Sequence, residues 1–245
     1  MRLILVLLCM VFARSAAMAF NRYIDRKIDE KNPRTLIREI PSGIIKPASA
    51  LVFTIASSLF FIITTYFINE ICFYLSPVAL AVVLGYSFTK RFTFLCHLIL
   101  GIGLSLAPIG AYLAVTGKFD WLPLFFSFAV LFWVSGFDII YSLQDEAFDK
   151  SQNLKSIPEK FGKKNALLIS KNFHSTTIFF IAFAGYYSQF GIFYWIGSVL
   201  FFSLLIYQHT LVKPNDLSKV NLAFFTTNGI ASVIFAVFVL LELLS

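Results

Sequence analysis

The chain has 245 residues, of which 58% are hydrophobic and only 13% charged, with a mean hydropathy of +0.81; this balance excludes an ordinary soluble domain and describes a polytopic membrane protein. A net charge of +7 and a pI of about 9.3 would suit nucleic acid if the basic residues were gathered on one surface. They are dispersed between apolar runs instead, so no nucleic-acid partner is expected.

A helix needs about 20 mostly apolar residues to cross the hydrocarbon core. Such runs fall at 3–20, 47–68, 71–89, 94–116, 119–142, 166–187, 189–212 and 219–244. Nothing alternates with period two for long, which excludes a barrel. The expected architecture is all-α: a polytopic transmembrane helical bundle of about eight spans, forming a single membrane-embedded domain over 1–245.

The first run imitates a secretory leader, with Arg2, an apolar stretch from Leu3 to Phe12 and the triplet Ala17-Met18-Ala19. Cleavage there would strand Asn21 and Asp25 on the side opposite to the one their basic neighbours demand, so Leu3 to Phe20 reads as a retained helix. Arg14 lies within it, seven residues before Asn21 and on roughly the same face. A charge inside a span faces a cavity or partner, which makes Arg14 a candidate pocket residue; snorkelling toward the headgroups is the plain alternative.

The first connection carries Arg22, Arg26, Lys27, Lys31, Arg34, Arg38 and Lys46, and the fifth carries Lys150, Lys155, Lys160, Lys163 and Lys164. Short cytoplasmic loops collect Lys and Arg, so both are expected in the cytoplasm. Strict alternation puts Lys90 and Arg91 and the pair Lys213 and Lys219 on the same side, and leaves both termini outside.

The informative acids sit in these basic loops. In NRYIDRKID, Asn21, Asp25 and Asp29 follow at intervals of four and share one helical face. In YSLQDEAFD, Asp145 and Asp149 repeat that spacing at the end of the fifth span. Like charges on adjacent turns repel, a cost that a bound divalent cation reverses, and Mg²⁺ commonly binds through a few carboxylates plus substrate phosphates. Solvated acids balancing nearby Arg and Lys are the alternative. Each pair leads into an Ile-Pro loop, REIPSG at 38–43 and KSIPEKFG at 155–162, a weak sign of internal duplication.

Cys9, Cys72 and Cys96 form no CxxC or Cys/His cluster and read as buried small hydrophobes. His97, His174 and His209 lack ligand spacing and read as packed or interfacial. Asn221 and Asn228, seven apart, fit interhelical hydrogen bonding.

NRYIDRKIDEKNPRT, GYSFTKRFT and GFDIIYSLQDEAFDKSQNLKSIPEKFG resemble the UbiA family of intramembrane aromatic prenyltransferases, in particular those acting on 4-hydroxybenzoate and their menaquinone-pathway relatives. The resemblance runs from the first helix to VNLAFFTTNG at 220–229. It implies Mg²⁺-dependent transfer of a polyprenyl group from polyprenyl diphosphate to an aromatic acceptor in quinone biosynthesis, 4-hydroxybenzoate first and a bicyclic menaquinone precursor second. Many members read Asn-Asp where this chain has Asn21-Arg22, and the Asn-Arg form followed by NPRT is more like the menaquinone-route subgroup. The resemblance implies a bundle of nine helices with cytoplasmic cap loops over the active site, so the chain is expected to lack the first helix, through a mis-assigned start or a truncation. The implied setting is the bacterial inner membrane, with the active site on its cytoplasmic face and no protein partner.

By the same resemblance Asp25, Asp29, Asp145 and Asp149 hold the Mg²⁺ with help from Asn21, Arg91 binds the acceptor's carboxylate or the diphosphate with Lys90 assisting, and Lys155 lies near the diphosphate. Tyr86 and Tyr141, just before the Lys-Arg element and the second acidic pair, are candidates to shield a carbocation with their rings. With 30 Phe and 10 Tyr in the chain, most rings simply face lipid or core. A secondary transporter is the reading from another class, but transporter acids belong near the midplane in broken helices. The single long signature of CDP-alcohol phosphatidyltransferases and the P-loop are both absent from the sequence.

Overall fold

The computed structural model describes residues 2–245. In chain order it contains α1 (Arg2–Asp29), α2 (Pro47–Tyr66), α3 (Glu70–Thr89), α4 (Cys96–Thr116), α5 (Trp121–Ser142), a 3-10 turn (Leu143–Asp145), α6 (Glu146–Ser151), α7 (Ile157–Tyr187), α8 (Ile192–Leu211), a π-helical turn (Leu222–Thr227) and α9 (Asn228–Leu244). Eight helical stretches of the described residues are long and apolar enough to cross a membrane. The protein is an integral membrane helical bundle, as composition requires; its described residues contain no sheet, only the isolated bridge Lys213–Asp216. Two details add to the sequence reading: α7 is kinked at Gly162, so a short helical segment from Ile157 precedes the part that carries the sixth apolar run, and the second acidic pair spans the junction of the 3-10 turn and α6.

The chain divides into two compact units. The first comprises residues 2–92 with Leu106–Phe119, and in it α1, α2 and α3 pack on one another. Pro47 opens α2, where a missing N–H costs nothing. Asn69 caps α3 by accepting from the Cys72 N–H at 2.8 Å, and its amide donates to the Leu113 carbonyl at 2.8 Å. Hydroxyls within the spans turn back onto their own helices, Thr54 to the Ala50 carbonyl and Ser76 to that of Phe73. Lipid offers such groups no partner, so the helix must supply one.

The second unit comprises Thr93–Ser105 and Asp120–Ser245. Here α5 packs on α7, and α8 on α7 and α9. One core gathers Ile139, Ile140, Leu143, Ile157 and Leu167; another gathers Ala129, Ile181, Tyr194, Phe201 and Leu205. The α5 and α7 backbones approach closely because Gly136 has no side chain: a Cβ there would strike the His174 ring. Gln208, fully buried on α8, donates to the Ala223 carbonyl at 2.7 Å within the π turn. A wider turn releases such carbonyls from the regular ladder, and a neighbouring side chain satisfies this one. Asn228 accepts from Trp133 Nε1 at 3.1 Å, the interhelical bond its position predicts, whereas Asn221 is exposed.

Candidate active site

In the first unit α1 runs without a break through Asn21 and Asp25 to Asp29, so the three side chains ride on one helix as their spacing predicts. Asn21 Nδ2 donates to Asp25 Oδ2 at 3.0 Å and lies 3.5 Å from Ser87 Oγ. Asp25 Oδ1 meets Arg91 Nη2 at 2.8 Å. The same guanidinium donates to the carbonyls of Ile24, at 3.0 Å, and Ser87, at 2.8 Å, so Arg91 ties the end of α1 to the end of α3.

Asp29 is held differently. Asn32 accepts the Arg34 N–H at 3.0 Å, and the Thr35 hydroxyl donates to the Asp29 carbonyl at 3.2 Å. This Asn-Pro-Arg-Thr turn folds the chain back until Arg38 Nη1 reaches Asp29 Oδ1 at 2.7 Å. Asp29 is only 4% exposed, and its Oδ2 is buried without a hydrogen-bond partner. Both acids stand at the C-terminal end of α1, where the helix dipole disfavours negative charge. Local helix stability therefore does not explain them; two guanidiniums brought from elsewhere offset their cost.

In the second unit Asp145 ends the 3-10 turn and Asp149 lies on α6, both buried. Asp145 stands at the N-cap position of α6, without a side-chain capping bond, and Asp149 falls in its first turn, so this pair opposes no dipole. Ser156 fixes Asp149: its hydroxyl donates to Asp149 Oδ2 at 2.9 Å while accepting the Glu159 N–H at 3.2 Å as the N-cap of α7. The Ser-Ile-Pro-Glu stretch thus starts a helix and orients a carboxylate with one side chain. Gly162 follows at φ +74°, a left-handed conformation inside α7 that glycine alone adopts without strain. Neighbouring Glu146 pairs with Lys150 at 2.7 Å.

A pairing that the sequence reading overlooked joins the buried His97 to Asp138, which precedes these acids in the chain. His97, at the start of α4, has Nδ1 2.6 Å from Asp138 Oδ2, and its Nε2 accepts the Ile157 N–H at 3.4 Å. The tautomer that satisfies both contacts carries its proton on Nδ1. His97 is packed, as expected, but Asp138 was missed; its signal was a lone acid inside a span, seven residues before Asp145.

The remaining candidates are more scattered. Tyr141 stacks on Phe224 with ring centroids 4.2 Å apart. Tyr86 and Lys90 are half-buried near the end of α3, and the Lys155 carbonyl accepts from Cys96 Sγ at 3.5 Å. Arg14 is exposed along α1 and takes part in no hydrogen bond or ion pair among the described residues. Among those residues no three His, Cys, Asp or Glu side chains form a ready-made metal cage.

The UbiA prenyltransferase family model matches residues 1–230. The chain belongs to the UbiA prenyltransferase family. It is 32% identical over 236 residues to the 4-hydroxybenzoate octaprenyltransferase of Nitrosomonas eutropha, covering 96% of this chain and 82% of that one. The Tolumonas auensis enzyme of the same name is 31% identical, with coverages of 96% and 82%. The apo structure of a UbiA homolog from Aeropyrum pernix K1 matches with a TM-score of 0.91 at 29% identity, covering 99% of this chain and 90% of that chain. A UbiA homolog from Archaeoglobus fulgidus, solved with GPP and Mg²⁺ bound, shares the fold at a TM-score of 0.75 and 22% identity, over 97% and 86% of the two chains. For this UbiA-family chain the transporter reading is set aside.

Proposed function

We propose that this UbiA-family chain catalyses Mg²⁺-dependent transfer of a polyprenyl group from polyprenyl diphosphate to 4-hydroxybenzoate. The observation that carries the reading is Asp29, a buried carboxylate at the unfavourable end of α1 with one oxygen paired to Arg38 and the other unpartnered. A hard cation takes such an oxygen, and the other ligands of Mg²⁺ commonly come from substrate phosphates and water. The acceptor is taken from the names of the relatives at 32% and 31% identity.

In the reaction the C–O bond of the allylic diphosphate breaks and its electron pair leaves with the diphosphate. A ring carbon ortho to the phenol hydroxyl then bonds to the prenyl carbon, and loss of the ring proton restores aromaticity. Mg²⁺ supplies charge neutralisation of the leaving group, with Asp25, Asp29, Asp145 and Asp149 as its ligands and Asn21 assisting. Asn21 orients Asp25, Arg38 holds Asp29 and Ser156 holds Asp149. Arg91 binds the acceptor's carboxylate or the diphosphate by turning from Asp25, since a planar guanidinium suits either anion. Lys90 and Lys155 add positive charge, Tyr86 and Tyr141 shield the cation with their rings, and Arg14 lines the donor's path. The Lys and Arg bias of the loops supports a site on the cytoplasmic face, and the bacterial sources of the relatives support an inner membrane as its setting.

The test is prenyl transfer to 4-hydroxybenzoate in membranes containing this chain. Product that vanishes with EDTA and in Asp25→Ala and Asp145→Ala supports the reading. Product that survives chelation overturns the metal dependence, and activity with another aromatic acceptor alone overturns the substrate.

A further inference from the structure

Two adjoining cavities of about 300 and 340 Å³ open between α7 and α8 in the second unit, sharing Lys171 and His209 in their linings. Lys164, Lys171 and Lys213 line them, and neither lining contains an acid. All three lysines are exposed, and none takes part in an ion pair among the described residues. Lys164 precedes the apolar part of α7 and Lys213 follows the end of α8, so the charge gathers where the two helices leave the hydrocarbon. From Lys171 the wall descends through His174 and Ser175 to Ile178 on one side, and from Thr210 and His209 to Ile206 and Leu205 on the other. The groove is cationic at its mouth and apolar at its floor.

Its middle holds an unusual acceptor. His174 Nε2 lies 3.3 Å from the Trp133 carbonyl, which can only accept, so that nitrogen carries the proton. His174 Nδ1 is then an acceptor, and it takes the proton of His209 Nε2 at 2.9 Å. His209 Nδ1 is left as a bare lone pair, buried and without a hydrogen-bond partner. An unmet acceptor beside a cationic mouth matches a ligand that carries both a hydroxyl donor and an anion.

We infer that this groove binds one anionic glycerophospholipid whose headgroup carries a free hydroxyl, such as phosphatidylglycerol. The phosphate sits among Lys164, Lys171 and Lys213, the hydroxyl donates to His209 Nδ1, and an acyl chain lies along Ile178, Leu205 and Ile206. Basic pockets between membrane helices recognise lipid headgroups in this way. Inorganic phosphate has no tail for the apolar floor, and phosphatidylcholine carries a cation where the lysines need an anion.

Lipid retention is read by native mass spectrometry of the full chain in detergent, with phosphatidylglycerol, phosphatidylcholine, phosphatidylmethanol or inorganic phosphate added in turn. One retained phosphatidylglycerol is expected, bound roughly fivefold more weakly for each lysine removed and lost in the combined Lys164→Gln, Lys171→Gln and Lys213→Gln variant. Lys171→Arg, which keeps the charge, retains the lipid and shows that the loss reflects charge and not misfolding. Equal retention of phosphatidylcholine, or full retention by the triple variant, overturns the site. Competition by inorganic phosphate at equal concentration overturns the lipid as occupant, and equal retention of phosphatidylmethanol, which has no headgroup hydroxyl, overturns the role of His209.

Discussion

Ser156→Ala tests how the second acidic pair is held. The hydroxyl serves two partners, Asp149 Oδ2 at 2.9 Å and the Glu159 N–H at 3.2 Å, and both Ser156 and Asp149 are 0% exposed. Loss of an N-cap costs about 1 kcal/mol, and loss of a buried hydrogen bond to a carboxylate costs roughly 1.5–3 kcal/mol. Water does not reach these groups to replace either bond, so the two losses add to roughly 2.5–4 kcal/mol, or a fall in Tm of roughly 5–15 °C for a chain of this size. Thermal unfolding of the purified protein in detergent reads the shift. Ser156→Thr keeps the hydroxyl and should recover most of it, whereas Ser156→Gly should recover only the cap, because glycine is itself a tolerable N-cap. A double-mutant cycle with Asp149→Asn isolates the side-chain pair, with an expected coupling of about 1–3 kcal/mol. A Ser156→Ala shift below about 2 °C, or a Thr variant as unstable as the Ala variant, would refute the reasoning.

Arg38→Met leaves the Asp29 carboxylate buried without its ion pair and should destabilise the protein by about 3 kcal/mol; adding Asp29→Asn should return about half of that, read in the same melting assay. Gly162→Ala forces a Cβ into a φ of +74° and should cost about 1–2 kcal/mol, whereas alanine at a helical glycine with open space around it, such as Gly85, should cost nothing measurable. Asp138→Asn weakens the hold on His97 across 41 residues of chain; the tautomer on Nδ1 should lose its preference, seen as a shift of the His97 ring ¹⁵N resonances. Chelation of divalent ions should abolish prenyl transfer while leaving Tm within a few degrees, because Arg38 and Arg91 already offset the first acidic pair without metal.

The spans were legible because the bilayer imposes one rule on every crossing, a run of apolar residues long enough to bury the backbone. The Asn21, Asp25 and Asp29 register was legible for a similar reason, since α1 continues beyond its apolar part and spacing of four is a property of the helix itself. What escaped were partnerships across the chain. Nothing near Asp29 marks Arg38 as its counterion until the Asn-Pro-Arg-Thr turn has folded, and nothing near Asp149 shows that the Ser156 hydroxyl of the next helix will hold it. The His174 to His209 pair joins residues 35 apart, and its geometry depends on Gly136 of a third helix. Local periodicity reports which face a residue occupies; what stands opposite is decided by packing.

At 1.5 Å per residue the 28 residues of α1 extend about 42 Å, some 12 Å more than the hydrocarbon layer is thick. The apolar run of α1 ends at Phe20, so the surplus is the polar stretch from Asn21 that carries Asp25 and Asp29, a composition suited to the headgroup stratum and not to the oil. A molecule with a long greasy tail and a highly charged tip partitions to that same depth unaided, tail among the acyl chains and tip at the boundary. If the proposed transfer is correct, the helix works as a depth gauge: its length presents the acids at the level to which solubility alone delivers such a reagent, and recognition begins as a lateral search in two dimensions.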